Sequence, residues 1–351
     1  MLPYKEVLYV DEVPKNIRAL LVGDIGGTNS NFGIFISANG ALTLLFSVHF
    51  KSKQVTDFAS LVSDLLTYLK KTYGITISHA GFAAAGVVSE NHVKPTNLDF
   101  FIDAKEIQQK TGLNTLFMVN DFEVIGYGLD QINAKNLVLV NEGKTREHAN
   151  KAILGAGTGL GKCIMDWNKY ADRYIPLASE GGHADFAVQN QLELDLVAHI
   201  RKTETNKCNI SWEDVLSGDG IQRIYHFFRH KNKAAKVASQ LSQNGPHPDE
   251  IFNSRHEDEH CWNTFELYTR LYARCAKNFA LDALAMGGVF IAGGIAAKNL
   301  PLFELDAFME EFTNCGKQQE LLHEIPIYVI TDYNISLYGA ARYMVLEGMI
   351  K

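Results

Sequence analysis

The stretch LLVGDIGGTNSNFGIF, residues 20–35, decides how this chain is to be read. Strand-forming apolar residues run to Val22, break into Gly23-Asp24-Ile25-Gly26-Gly27-Thr28-Asn29, and resume at Phe32. Glycine inside a strand pattern marks a bulge, a tight hairpin, or a backbone that another group must approach closely. The surrounding residues favour the last. Gly26 and Gly27 can take positive φ and carry no side-chain bulk, so backbone N–H groups there can face a polyphosphate. Thr28 and Asn29 add neutral donors, and Asp24 can hold a phosphate-bound Mg²⁺ through water.

Outward from this stretch, the runs ALLVGDIG, NFGIFIS and LTLLFSVHF predict three consecutive strands joined by short turns. VTDFASLVSDLLTYLKKTYG has helical spacing at Phe58, Leu61, Leu65 and Leu69, with Gly74 as its stop. A strand in AGFAAAGVV, a helix from Asp103 to Thr111 and a strand in TLFMVND follow. The second half repeats the theme. KAILGAGTGLGKCIM is again an apolar strand broken by glycines and resumed, and helices are expected over 192–202, 212–230 and 263–286 before strands in GVFIAGGIA and IPIYVITD. One glycine-rich strand-turn-strand unit per half predicts a duplicated α/β architecture with a cleft between lobes. The polar stretch HKNKAAKVASQLSQNGPHPDE is the best surface insertion.

In GAGTGLGK, Gly155, Gly157, Gly159 and Gly161 alternate along the strand, Thr158 can donate at the turn, and Lys162 is the nearby positive charge. A dinucleotide-binding G-x-G-x-x-G would need glycine where Leu160 stands. A Walker loop would need glycine at Ala156 and Ser or Thr at Cys163. Taken singly, either glycine turn is also compatible with an ordinary hairpin.

The 351 residues suggest two domains, and 46% hydrophobic with 21% charged residues is ordinary for a globular chain with a full core. A net charge of -7 provides no footprint for nucleic acid or an anionic membrane. Five scattered cysteines without Cys-x-x-Cys argue against a disulfide framework and a Cys-type zinc site, and fit a reducing cytosol. No apolar h-region or long apolar run is present, so secretion and membrane spanning are not expected. HEDEH, residues 256–260, matches the zinc-protease pattern, but its charged interior predicts a solvated loop or first helical turn, without zinc.

GDIGGT at 23–28 followed by GAGTGLG at 155–161 resembles the two phosphate-binding hairpins of the hexokinase, actin and Hsp70 superfamily. PTNLDF (95–100), VNDFEVIGYG (119–128), SEGGHADFA (179–187), EDVLSGDG (213–220) and GVFIAGGI (288–295) narrow the resemblance to the bacterial-type glucokinase family, over Leu20 to Met349. The resemblance implies a two-lobed actin-like, ribonuclease H-like ATPase fold. Its small domain would comprise residues 1–131 plus 332–351 and its large domain residues 132–331.

It further implies ATP-dependent phosphorylation of the glucose 6-hydroxyl by a cytoplasmic homodimer, with Mg²⁺ held through water by Asp24. Gly23, Asp24, Ile25, Gly26, Gly27, Thr28 and Asn29, with Gly157, Thr158 and Gly159, would grip the phosphates, and Gly293 and Gly294 would lie beside the adenosine. Asp121 would be the catalytic base, with Asn97, Asn120, Asp121, Glu180, His183 and Glu213 as sugar ligands. Two glycines inside SEGGH disfavour a helical Glu-x-x-His metal site and favour a loop.

Near the C-terminus the family's usual proline-glycine pair is replaced by Ile335 and Ser336, and Phe100 stands where tryptophan is usual. The first departure bears on the local turn and not on the chemistry. Two alternatives stand beside this: a kinase for another hexose, or a catalytically silent sugar-binding regulator. The zinc motif of the repressor, open-reading-frame and kinase family is absent, and Asp121 is retained without a helix-turn-helix or basic arm.

Overall fold

Residues 26–28 form the turn of an antiparallel hairpin, the strand running on through Gly23, Asp24 and Ile25 of the expected break, in the computed structural model, which describes residues 3–95, 98–205, 207–232 and 245–347. The chain divides into two units. One comprises Met1–Asn133, Ile175–Ala178 and Asn334–Lys351, the other Ala134–Tyr174 and Ser179–Tyr333.

The first unit contains β1 (Lys5–Leu8), β2 (Arg18–Ile25), β3 (Asn29–Ala38), β4 (Ala41–Lys51), β5 (Thr76–Ala84), the short pair β6 (His92–Val93) and β7 (Ile102–Asp103), and β8 (Thr115–Asn120). Its main sheet runs β1-β4-β3-β2-β5-β8. Strands β2, β3 and β4 form an antiparallel meander, and β5 and β8 add in parallel to β2. Side chains alternate across a strand, so Leu21 enters one core with Phe32, Phe46, Val62 and Leu65. Val22 enters another with Phe35, Phe117, Val124 and Leu337. Helix Phe58–Tyr73 covers the first face, capped by Asp57 and stopped by Gly74 at φ 68. Helices Asp121–Gly128 and Ile335–Leu346 cover the second, and their backbones touch. A Cβ on Gly339 would lie 1.8 Å from the Val124 carbonyl oxygen, which only glycine tolerates.

The second unit contains β9 (Leu137–Asn141), β10 (Lys151–Ala156), β11 (Leu160–Asn168), β13 (Val289–Ala292) and β14 (Ile327–Ile330), in the order β11-β10-β13-β14-β9, while β12 (Arg173–Ser179) is divided, its Ile175–Ala178 counting with the first unit. β10 pairs antiparallel with β11 and parallel with β13, and β13 pairs parallel with β14. This repeats the β3-β2-β5-β8 order of the first unit, so the predicted duplication is present in the topology. The long helix Glu259–Ala283 buries Tyr268, Leu271, Tyr272, Cys275 and Ala276 in the core. The Ala156 N–H at the end of β10 donates to the Tyr272 hydroxyl at 3.1 Å.

Several elements differ from the expectations. The helix expected over 212–230 is two, Trp212–Val215 and Gly218–Lys231, because Ser217 caps the second through the Gly220 N–H. GVFIAGGIA leaves strand geometry at Ala292 and continues as helix Gly294–Lys298. Strands β1, β9 and β12 and helices Pro301–Glu304, Asp306–Thr313 and Gln319–His323 are additional. Most of the expected surface insertion, residues 233–244, lies outside the described residues. Among the described residues no helix is long and apolar enough to cross a membrane.

Candidate functional site

In the first unit the parallel strands β2, β5 and β8 end together. Asp24 pairs in register with Ala83, Ile25 with Ala84, and Ala84 with Asn120. Asp24 and the Asn120-Asp121 pair therefore share one carboxyl edge, with a single strand between theirs, or about 10 Å across the sheet. Ligands of open α/β sheets bind outside such edges.

Asp24 is half-buried, and Ser336 donates to its Oδ2 at 2.7 Å. Burial raises the carboxyl above its ordinary range, and the Ser336 hydrogen bond lowers it in part. Ser336, at the departure in residues 335–336, thus bonds to the carboxylate expected to hold Mg²⁺. Among the described residues no three or more His, Cys, Asp or Glu side chains form a metal cluster. One carboxylate that pairs with no basic side chain among the described residues fits a hard cation held chiefly by substrate phosphates and waters, as Mg²⁺ is.

The hairpin turn closes through the Gly26 N–H to the Asn29 carbonyl at 3.0 Å, and Ser52 clamps it by donating to the Gly26 carbonyl at 2.6 Å. Gly26 lies outside the left-handed region, contrary to expectation. Its glycine requirement is one of space, since a Cβ would sit 3.2 Å from the Asn29 carbonyl oxygen. Thr28 is exposed at the turn. Lys51 and Tyr4, which the sequence did not single out, donate to the Asn29 side-chain oxygen at 3.0 and 3.3 Å. The Asn29 amide is left as the group available to donate. Gly23 and Ile25 are buried within β2, and a Cβ on Gly23 would meet the Phe82 ring at 2.8 Å.

Asn120 caps helix Asp121–Gly128. Its Oδ1 accepts from the Phe122 and Glu123 N–H groups at 2.9 and 3.1 Å, and its Nδ2 donates to the Gly86 carbonyl at 3.2 Å. One amide hydrogen has no partner among the described residues. Asp121 opens the helix, partly exposed, with Oδ1 accepting from the Phe122 N–H at 3.1 Å. Asn97 lies outside the described residues.

In the second unit Gly155 pairs with Ala292, so the tips of β10 and β13 are adjacent. Gly293, at φ 91, passes so close to β10 that a Cβ would lie 2.6 Å from the Ala156 carbonyl oxygen, whereas a Cβ on Gly294 meets nothing within 4 Å. The turn Gly157-Thr158-Gly159 closes through the Gly157 N–H to the Gly159 carbonyl at 2.8 Å, and the Gly218 N–H donates to the Gly157 carbonyl at 3.0 Å. Thr158 is exposed at its tip.

Glu213 joins this turn to the proposed sugar residues. Its Oε2 accepts from the Leu160 N–H at 2.8 Å, and its Oε1 lies 4.0 Å from His183 Nδ1. On the other side of the imidazole, Nε2 is 3.7 Å from Glu180 Oε2. Glu180 and His183 are about half exposed, at 46% and 49%, and Glu213 is 30% exposed, so all three can reach a ligand. SEGGH forms a single 3-10 turn, Gly181–His183, rather than an irregular loop. Gly182 passes so close to Leu160 that a Cβ would sit 1.9 Å from its carbonyl oxygen.

HEDEH does not form one helical face. His256 is in a turn, while Asp258 caps the long helix through the Cys261 N–H at 2.9 Å and His260 follows in its first turn. The segment is the expected turn and first helical turn, with His256, Glu257 and Glu259 exposed, while Asp258 and His260 are buried because the cap is packed into the core.

A sequence profile described as Glucokinase matches residues 21–347. The chain belongs to the glucokinase family. It is 34% identical over 337 residues to a glucokinase of Nostoc punctiforme, covering 92% of this chain and 97% of that protein. The crystal structure of a glucokinase from an Antarctic psychrotroph superposes with a TM-score of 0.74 at 27% identity, over 93% of this chain and 98% of that one. A glucokinase from Balamuthia mandrillaris in complex with glucose has a TM-score of 0.80 at 19% identity, over 93% of each chain, a likeness of fold. This glucokinase-family enzyme has the actin-like ATPase fold.

Proposed function

We propose that this enzyme transfers the γ-phosphoryl group of ATP to the 6-hydroxyl of glucose, with Asp121 as general base. The observation that carries this is the shared carboxyl edge of β2, β5 and β8, with one carboxylate at the glycine hairpin and another at the start of a helix two strands away. Asp121 accepts the hydroxyl proton as the sugar oxygen attacks phosphorus, and Asn120 orients the sugar through its remaining amide hydrogen. Bound Mg²⁺ would neutralise charge on the phosphates, and Asp24 would hold its water shell. Backbone amides of residues 27–29 and 158–159 bind phosphate oxygens, and the open side of Gly294 admits the adenosine. Glu180, His183 and Glu213 accept from or donate to adjacent sugar hydroxyls, with Asn97 as a further ligand carried from the family pattern. The glucose bound by the Balamuthia protein supports this choice of sugar. A cytoplasmic homodimer completes the reading, and light scattering at twice the 39.1 kDa chain mass would test its assembly.

Coupled ADP release over a panel of hexoses tests the function. Glucose should give the largest kcat/KM, and Glu180→Ala should raise the KM for glucose more than that for ATP. A preference for fructose, or an unchanged glucose KM in that variant, would refute the sugar-site assignment.

A further inference from the structure

The first unit contains a contact that the sugar and phosphate residues do not account for. Ser336 lies in the first turn of helix Ile335–Leu346, is only 7% exposed, and donates to Asp24 Oδ2 at 2.7 Å across 312 positions of sequence. A buried hydroxyl satisfies its donor wherever it can. Here it does so on the carboxylate at the phosphate hairpin. We propose that Ser336 is a positioning residue that fixes the Asp24 carboxylate, leaving Oδ1 directed to the water shell of the nucleotide-bound Mg²⁺. This rests on the reading of Asp24 as the Mg²⁺ carboxylate.

The mechanical argument is independent of that reading. Helix Ile335–Leu346 cannot shift without colliding with helix Asp121–Gly128. A Cβ on Gly128 would lie 2.6 Å from the Ile335 carbonyl oxygen, and one on Gly339 would lie 1.8 Å from that of Val124. Leu337, Ala340, Ala341 and Met344 on the same helix are buried against Val22, Phe35 and Phe117 of the sheet. The hydroxyl is therefore delivered from a rigid element, and a carboxylate held on one oxygen loses less rotational freedom when its other oxygen engages a cation's water shell. The same helix abuts the element that starts at Asp121, so one rigid body sets both carboxylates of the shared edge.

The test is calorimetric binding of a non-hydrolysable ATP analogue, AMPPNP, to the full chain with and without Mg²⁺, in wild type, Ser336→Ala, Ser336→Thr, Asp24→Asn and the Ser336→Ala/Asp24→Asn double variant. In Ser336→Ala the Mg²⁺-dependent gain in affinity should fall about three- to tenfold, the range for one hydrogen bond to a half-solvated carboxylate. Mg²⁺-free nucleotide affinity, glucose affinity and Tm should stay at wild-type values, and Ser336→Thr should restore the gain. Asp24→Asn should remove most of the gain, and adding Ser336→Ala should then change nothing further. An unchanged gain in Ser336→Ala beside a lost gain in Asp24→Asn would overturn the role of Ser336 and leave Asp24 in place. An unchanged gain in Asp24→Asn would overturn both. Equal weakening with and without Mg²⁺, or a lowered Tm, in Ser336→Ala would make Ser336 a structural residue and overturn the proposal.

Discussion

Replacing Gly159 with alanine should damage glucose use although the residue belongs to the nucleotide turn. A Cβ at this position would lie 2.5 Å from Glu213 Oε2, the same oxygen that accepts from the Leu160 N–H at 2.8 Å. Ordinary van der Waals contact begins near 3.4 Å, so the carboxylate must retreat by about 1 Å and the hydrogen bond opens past its useful range of roughly 3.2 Å. A hydrogen bond to a charged group contributes about 1.5 to 3 kcal/mol. Because Glu213 is 30% exposed, water recovers part of this, leaving about 1 to 2 kcal/mol, or roughly 5- to 30-fold in kcat/KM for glucose. In Gly157→Ala the Cβ meets nothing within 4 Å, so any loss there should fall on the KM for ATP and spare that for glucose. Coupled ADP release with glucose varied at saturating ATP reads both variants. A Gly159→Ala enzyme with wild-type kcat/KM for glucose would refute the link through Glu213.

Three further outcomes follow from the same geometry. Gly294→Ala should leave the Tm unchanged, because its Cβ meets no protein atom within 4 Å, yet raise the KM for ATP severalfold by filling the adenosine side; an unchanged ATP KM would remove Gly294 from the nucleotide site. Arg274→Ala should cost about 3 to 5 kcal/mol in chemical denaturation, because Arg274 pairs in the core with Glu193 and Glu311, both at 2.7 Å, and its loss strands buried carboxylates; a change under about 1 kcal/mol would contradict this. For Asp214, burial acts to raise the carboxyl, but Lys207 and Ser211 outweigh it and hold the folded value below the ordinary value of an aspartate. Its stabilisation is therefore present above that value and lost as pH falls through the lower folded one. Asp214→Asn should flatten the acid limb of the stability profile, and an unaltered limb would show that the pair contributes nothing.

The hairpins were legible because glycine, a short polar turn and flanking apolar strands are local features, and residues 20–35 and 151–165 carry all three. The break at Leu216-Ser217 was also written locally, in two serine caps six residues apart, but continuous apolar spacing across it suggested one helix. Helix Asp306–Thr313 escaped notice because Glu311 looks like a solvent residue until Arg274 and Lys277 are seen to bury it. Strand β12 contains Pro176 and only partial alternation of burial. Of the site, Asp24, Asp121 and the two turns stood out as residue types at strand ends. The Leu160 N–H to Glu213 bond and the Ser336 to Asp24 bond, spanning 53 and 312 positions, are products of tertiary packing and left no local signature.

The central claim, that Asp121 accepts the proton of the attacking hydroxyl, is tested most directly by Asp121→Asn in single-turnover phosphoryl transfer, with glucose affinity measured separately by calorimetry. The substitution keeps the shape of the side chain and its place at the start of the helix while removing its basicity. Transfer should fall by at least about 100-fold, the usual contribution of a positioned base, while the glucose Kd rises by no more than about tenfold, because a charged hydrogen bond to the hydroxyl is replaced by a neutral one. A variant that transfers phosphoryl at near wild-type rate would contradict the account.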